Sequence, residues 1–341
     1  MATASSRPTG RARSERRDRG MDRRGFLGAA AAAPLLSALP AAAHHGTSMA
    51  QAPGFYRFKV GGFTVTTVHD GFTPRQNPAR SGMVANQTPE AVEAAMREAL
   101  LPLDRLDNPF TVTFLDTGRQ LIAFDTGTGG GQLSPTSGLL EHNLEAAGID
   151  PARVSLVLVS HFHGDHVTGL TTRENAAVFP NAEVAVPAAE WAFWTDEGNS
   201  GRVPEMQRGT FANVRRRFGP YQAKLRRFDW DQEVAPGVRA LNAAGHTPGH
   251  TVFHVADGAE QLFVMADTSS RPELFLRYPH WASVFDLDAA MATESRRRVF
   301  GRAAAERARI TAYHFPFPAN GYVAPWGEGF RFIPADWSST V

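Results

Sequence analysis

The chain has 341 residues, 43% of them hydrophobic, no cysteine and a formal net charge of +1. That size and apolar content supply one large α/β domain or two modest ones, and the missing cysteine excludes disulfides, thiolate metal ligands and a cysteine nucleophile. The first 43 residues carry eight arginines against three acids, which leaves an acidic excess of about four on the rest; a nucleic-acid partner is not expected.

Residues 1–20 read as a basic extension outside the fold. Met21 to Ala43, MDRRGFLGAAAAAPLLSALPAAA, has paired arginines, an apolar stretch and then small residues. This is the layout of a twin-arginine signal peptide, with Tat export to the periplasm or beyond and a cut after Ala43. Pro34 and Pro40 interrupt it, so it is a poor bilayer span and no stable membrane association is expected after cleavage. Residues 44–54, beginning with His44-His45, read as a flexible mature terminus, and residues 55–335 as one hydrolase-sized domain.

Within that body, FYRFKV (55–60) and FTVTTV (63–68) flank Gly61-Gly62 as a hairpin. Thr88-Pro89 opens a helix to about Leu101, with threonine as N-cap and proline in the first turn. FTVTFLD (110–116) and QLIAFD (120–125) form a second hairpin, and a helix over 138–147 stops at Gly148. A buried strand, 154–160, runs into HFHGDH (161–166). Strand 183–186 and a helix from Pro187 follow, then a Gly- and Arg-rich stretch, 196–220, expected to be a lid or inserted helix. VRALNA (238–243), TVFHVA (251–256), QLFVMAD (261–267), a helix from about Leu287 to Ala308 and ITAYH (310–314) repeat the strand-and-helix grammar. Two packed sheets with helices outside are implied.

HFHGDH brings three imidazoles and a carboxylate to the end of a strand, where ligands bind in α/β proteins. His246, Asp267 and His314 each stand at or just beyond the end of an apolar strand. Two neighbouring divalent cations need a bridging carboxylate and about three further side chains each. The reading assigns His161, His163 and His246 to one metal, Asp165, His166 and His314 to the other, and Asp267 to the bridge. His250 is expected to hydrogen-bond to a ligand rather than to ligate. A His/carboxylate set suits zinc, with Mn, Fe or Co as alternatives.

HxHxDH with distant His, Asp and His, DTG (125–127) upstream and GHTPGHT (245–251) resembles the metallo-β-lactamase fold superfamily over about residues 55–335. Within it, ITAYHFPFPANGYV, the FDLDAA and ESRRR stretches and the signal look most like the methyl parathion hydrolase branch of secreted dinuclear hydrolases. The resemblance implies an αβ/βα four-layer sandwich, two facing mixed sheets with outer helices, and a dinuclear centre between the sheets. The β-lactamases proper commonly use a cysteine ligand, absent here. Acyl-homoserine lactonases of this pattern carry a tyrosine shortly after the bridging aspartate, where this chain has Thr268, Ser269, Ser270 and Arg271, leaving Tyr278 or Tyr313 as substitutes.

The function expected is metal-dependent hydrolysis of an ester-like small molecule, an aryl phosphotriester or a lactone, by a metal-bound hydroxide, with Asp165 and Asp267 as the catalytic carboxylates. The alternatives are an acyl-homoserine lactone lactonase, a mononuclear iron persulfide dioxygenase and a non-catalytic binding module; a homodimer is left open. Phe315, Phe317, Trp191 and Trp194 are the candidate pocket aromatics, and such a wall would favour an uncharged ester. GTGGG (127–131) lacks the lysine of a phosphate loop, Ser160 lacks the glycines of a nucleophile elbow, and Arg215 to Arg217 with Arg226 and Arg227 read as a solvated face.

Overall fold

The computed structural model describes residues 53–341, so residues 1–43, read above as a basic extension and an export signal, and His44-His45 lie outside the described part. In chain order the elements are β1 (Phe55–Val60), β2 (Phe63–Gln76), α1 (Pro89–Glu98), β3 (Arg105–Asp116), β4 (Leu121–Phe124) and α2 (Leu140–Ala146). Then come β5 (Val154–Leu158), α3 (Gly164–Val167), β6 (Glu183–Pro187), α4 (Ala188–Trp194), α5 (Gly209–Phe218), β7 (Leu225–Phe228) and β8 (Glu233–Ala235). The rest is β9 (Val238–Asn242), β10 (Thr251–Asp257), β11 (Glu260–Val264), α6 (Ala289–Ala305), β12 (Arg309–Thr311), β13 (Asn320–Trp326) and β14 (Gly329–Pro334).

Two seven-stranded sheets form, β1 to β7 in sequence order and β14 back to β8. Both are mixed: β4 to β7 run parallel, as do β11 and β12, and the other pairs are antiparallel. The expected sandwich is therefore the one observed. The central strands are apolar on both sides because each has two partners to bury against. Leu156 and Leu158 of β5 face the second sheet, in one cluster with Phe253, Val255 and Leu262, while Val154 and Val157 face outward into a layer with Trp194, Phe211 and Phe218. The outer face of the second sheet packs Phe263 and Ile310 against Val299 and Phe300 of α6.

Thr88 caps α1 as expected, accepting from the Ala91 amide at 3.3 Å, and Gly148 adopts φ +66° after α2. Residues 196–220 contain a helix, α5, which buries Phe211, Val214 and Phe218 and is therefore fixed to the core. Its Arg217 is buried too, donating to Thr171 Oγ1 at 2.7 Å, so the solvated-face reading fails there. β7, β8, β13 and β14 were not foreseen. LRRF and EVA lie at sheet edges, where charge and brevity are tolerated, and Pro325 sits near the end of β13.

β2 carries a bulge between His69 and Phe72 that shifts its register on β3. Gly71 makes it possible: φ is +94°, and a Cβ there would lie 2.3 Å from Thr136 O. The bulge re-aims the last residues of β2, Thr73 to Gln76, to the rim where the ligand loops gather.

The sheet-to-sheet layer predicts one stability result. Phe253, fully buried, packs its ring 5.3 Å from Phe124 across the interface. Phe253→Ala should lower the unfolding free energy by about 3–5 kcal/mol in urea denaturation. A loss below about 1 kcal/mol would mean that the two sheets do not share this core.

Candidate metal centre

All seven predicted ligand positions converge at one rim of the sandwich. His161 and His163 leave β5, Asp165 and His166 occupy α3, His246 follows β9, Asp267 follows β11, and His314 follows β12. They fall into two sets that share one member: His161, His163, His246 and Asp267, and Asp165, His166, His314 and Asp267. Within each set the donor atoms lie within 4.8 Å of one another.

Proton placement, assigned from hydrogen-bond partners, shows why a cation fits. His161 Nδ1 donates to Ser160 Oγ at 3.0 Å, His246 Nδ1 to Asp286 Oδ1 at 2.9 Å, His166 Nδ1 to Asp125 Oδ2 at 2.8 Å, and His314 Nδ1 to Pro109 O at 2.9 Å. With that proton spent outward, each neutral ring turns a lone pair inward at Nε2. In the first set His161 Nε2 and His246 Nε2 stand 3.1 and 3.0 Å from His163 Nδ1. In the second, His166 Nε2 is 3.1 Å from Asp267 Oδ1 and His314 Nε2 is 3.1 Å from Asp267 Oδ2. His166 Nε2 and Asp267 Oδ1 are buried without any hydrogen-bond partner. Lone pairs facing lone pairs in a buried site repel unless protons or metal ions lie between them.

The same neighbours set the proton affinities of the cluster. Burial and the neighbouring imidazoles push His161 down, and burial with the charge of His246 pushes His163 to about 3. Burial opposes protonation of His246, but its bonds to Asp267 and Asp286 raise it to about 9. His166 and His314 are likewise raised against burial, by Asp267 and Asp165. Desolvation works against the charge of Asp267, yet the imidazoles of His314 and His166 hold it well below the ordinary carboxylate value.

Outer residues hold the donors in place. The Asp267 amide donates to His250 Nε2 at 3.1 Å, while His250 Nδ1 donates to Ala243 O, so His250 stands behind the shared carboxylate and outside both sets. Asp125, at φ +63°, accepts from Ser160 N, Ser160 Oγ and His166. The Ser160 hydroxyl is thereby engaged and buried. Tyr313 donates to the Asp165 carbonyl at 2.6 Å and lays its ring 3.9 Å from that of His166.

Three residues of this frame were missed by sequence reasoning. Glu190 of α4, fully buried, accepts from Phe162 N and Trp194 Nε1 through one oxygen and from Gly249 N through the other, clamping the 161–166 loop to the 245–251 loop. Gly249 allows it, since a Cβ would lie 2.2 Å from Glu190 N. Asp286 orients His246 and meets Arg296 at 3.3 Å; Arg296, from α6, also donates to the carbonyls of Thr268, Pro279 and Trp281. Only the ESRRR stretch hinted at Arg296.

A cavity of about 640 Å³ opens on the cluster, lined by His163, Asp165, His246, Asp267 and His314 at its base. Its walls come from the end of β2, residues 206–210, 270–271 and 283–285. None of the four aromatics expected there lines it. Phe315 is fully buried under β14, because the residue after His314 turns into the apolar layer on the outer face of the second sheet. Phe317 lines a separate groove with Trp326 and Phe330, Trp191 packs on Phe162 and Phe218, and Trp194 is held by Glu190 in the outer layer. Phe110 and Phe285 are the aromatics actually present. Neither Tyr278 nor Tyr313 enters the lining; Tyr278 stacks on Trp281 at 4.4 Å.

Known proteins share this architecture. The family model for the metallo-beta-lactamase superfamily matches residues 109–337. The solved structure of AidC, a dizinc quorum-quenching lactonase in complex with a product, is similar with a TM-score of 0.78 and 25% identity, covering 84% of this chain and 99% of that one. The hydrolase AbOPH of the beta lactamase superfamily is similar at a TM-score of 0.78 and 24% identity, over 85% and 100%.

The geometry orders two substitutions. Asp267→Ala should leave less than about one equivalent of tightly held metal by elemental analysis, because both sets lose a member. His250→Ala should keep two sites and weaken them about 10- to 100-fold. Equal losses would reverse the hierarchy of the two residues.

Proposed function

This chain belongs to the metallo-β-lactamase superfamily, and we propose that it is a dinuclear metal-dependent hydrolase of ester-like small molecules, a lactone or an aryl phosphotriester, with zinc as the leading metal. One observation carries the reading: two four-member donor sets share Asp267 at the floor of an open cavity. Two divalent cations held there would polarise a carbonyl or phosphoryl oxygen and lower the pKa of water to about 7.

The chain's own groups do the rest. Asp267 reaches both sets and is 7% exposed in its side chain; Asp165 is 18% exposed and faces the cavity. Asp165 turns Oδ2 toward His166 and His314, so its other oxygen, Oδ1, is the atom assigned to accept the attacking water's proton. Tyr313 fixes that residue's backbone, and burial keeps the Tyr313 hydroxyl far above its ordinary pKa, hence a constant donor. With Ser160 engaged by Asp125, no protein nucleophile is needed.

The lactone arm is supported by the likeness to AidC. The phosphotriester arm, and with it the methyl parathion hydrolase branch, rests on the sequence around His314. The complete second set weighs against a mononuclear iron dioxygenase, and the seven intact donors weigh against a non-catalytic module. Export by the twin-arginine route is proposed from the layout of Met21 to Ala43, paired arginines in RRGFLG followed by an apolar stretch and small residues. Among the described residues no helix is long and apolar enough to cross a membrane.

A substrate panel tests the class. The zinc-loaded chain should hydrolyse a 4-nitrophenyl phosphotriester or an acyl-homoserine lactone, lose at least about 100-fold in rate when stripped by a chelator, and recover with added Zn, Mn or Co. Oxygen consumption on a persulfide with one iron bound, or silence across the panel, would contradict it.

A further inference from the structure

Apart from the carboxylates of the cluster, the charged side chains of the cavity are both arginines. Its carboxylates are Asp165 and Asp267, both turned to imidazoles; its remaining charged side chains are Arg75 and Arg271. Arg271 is buried and lies 3.3 Å from Glu273, so its charge is answered locally. Arg75 is not so answered. It stands on the re-aimed end of β2, half-buried, with its guanidinium carbon 5.6 Å from the centre of the Phe285 ring. Its hydrogen-bond partner is the Ser81 hydroxyl, 3.4 Å away, and among the described residues no carboxylate oxygen lies within 4.0 Å of it.

Burial lowers the Arg75 pKa from its ordinary value, the mark of a desolvated cation, but a guanidinium remains charged at any working pH. A partly desolvated guanidinium without a counter-ion is costly, and a planar carboxylate is the ligand whose two oxygens match its donors. Met83, Phe110, Leu133 and Phe285 supply the apolar lining of the same cavity. We infer that Arg75 is a specificity-determining residue, and that the preferred substrate is an ester bearing a carboxylate, which Arg75 meets while the scissile bond lies on the cluster. The inference rests on the hydrolase reading and replaces the uncharged substrate that an aromatic wall would have implied.

The test compares two near-isosteric esters, mono-4-nitrophenyl adipate and 4-nitrophenyl hexanoate, with the zinc-loaded full chain. The anionic ester should be preferred by on the order of tenfold in kcat/KM, the preference shrinking as salt rises. Arg75→Gln should abolish the preference and Arg75→Lys should retain part of it, chiefly through KM, with the fold of each variant checked by its thermal transition. Equal use of the two esters by the wild type, or a preference that survives in Arg75→Gln, overturns the inference. If neither ester is turned over, the hydrolase reading is decided separately by the phosphotriester and lactone panel. The subsite is then judged by calorimetric titration with adipate, where binding that weakens about tenfold in Arg75→Gln upholds it and binding indifferent to Arg75 overturns it.

Discussion

Everything at this site depends on imidazoles whose outward nitrogens are already committed. Ser160, Asp286, Asp125 and the Pro109 carbonyl each take one ring proton, from His161, His246, His166 and His314. Each bond fixes a tautomer and aims a lone pair inward. The partners are buried and locked in turn: Asp125 by two bonds from Ser160, Asp286 by the Ser283 amide and Arg296. Lone pairs so aimed repel unless protons or cations lie between them, so the order of this rim is coupled to what lies between the donors.

The two sheets make that arrangement possible. The donors come from strand ends far apart in sequence, and a small rotation of one sheet against the other would separate Asp267 and His314 from the 161–166 loop. The apolar layer of Phe124, Leu158, Phe253 and Val264 prevents it, and Glu190 ties the loops together above that layer. Cofactor chemistry is thus set by rigid parts. The cavity walls come from the end of β2 and from residues 206–210, 270–271 and 283–285, none of which supplies a donor.

The sequence made the donors legible because ligation demands particular residue types just past apolar strands, and three imidazoles crowded into HFHGDH repel one another unless neutral or ligated. It made the central strands legible because burial on both faces leaves continuous apolar runs. Glu190 was hidden: an acid in a short amphipathic helix looks solvent-facing until the loops it clamps are placed. Arg296 and Arg217 were hidden for the same reason, since arginines in charged runs rarely signal burial. The pocket aromatics were misplaced because adjacency to His314 says nothing about which way the next residue turns. Phe315 turned into the core, and the real lining came from the bulge at Gly71 and from loops without periodicity.

The most direct test is diffraction from zinc-loaded crystals at the metal absorption edge. A dinuclear centre predicts two anomalous peaks about 3.5–4 Å apart, one among His161, His163 and His246, the other among Asp165, His166 and His314, with the Asp267 carboxylate between them. A single peak, or an Asp267 turned away from both, would contradict it.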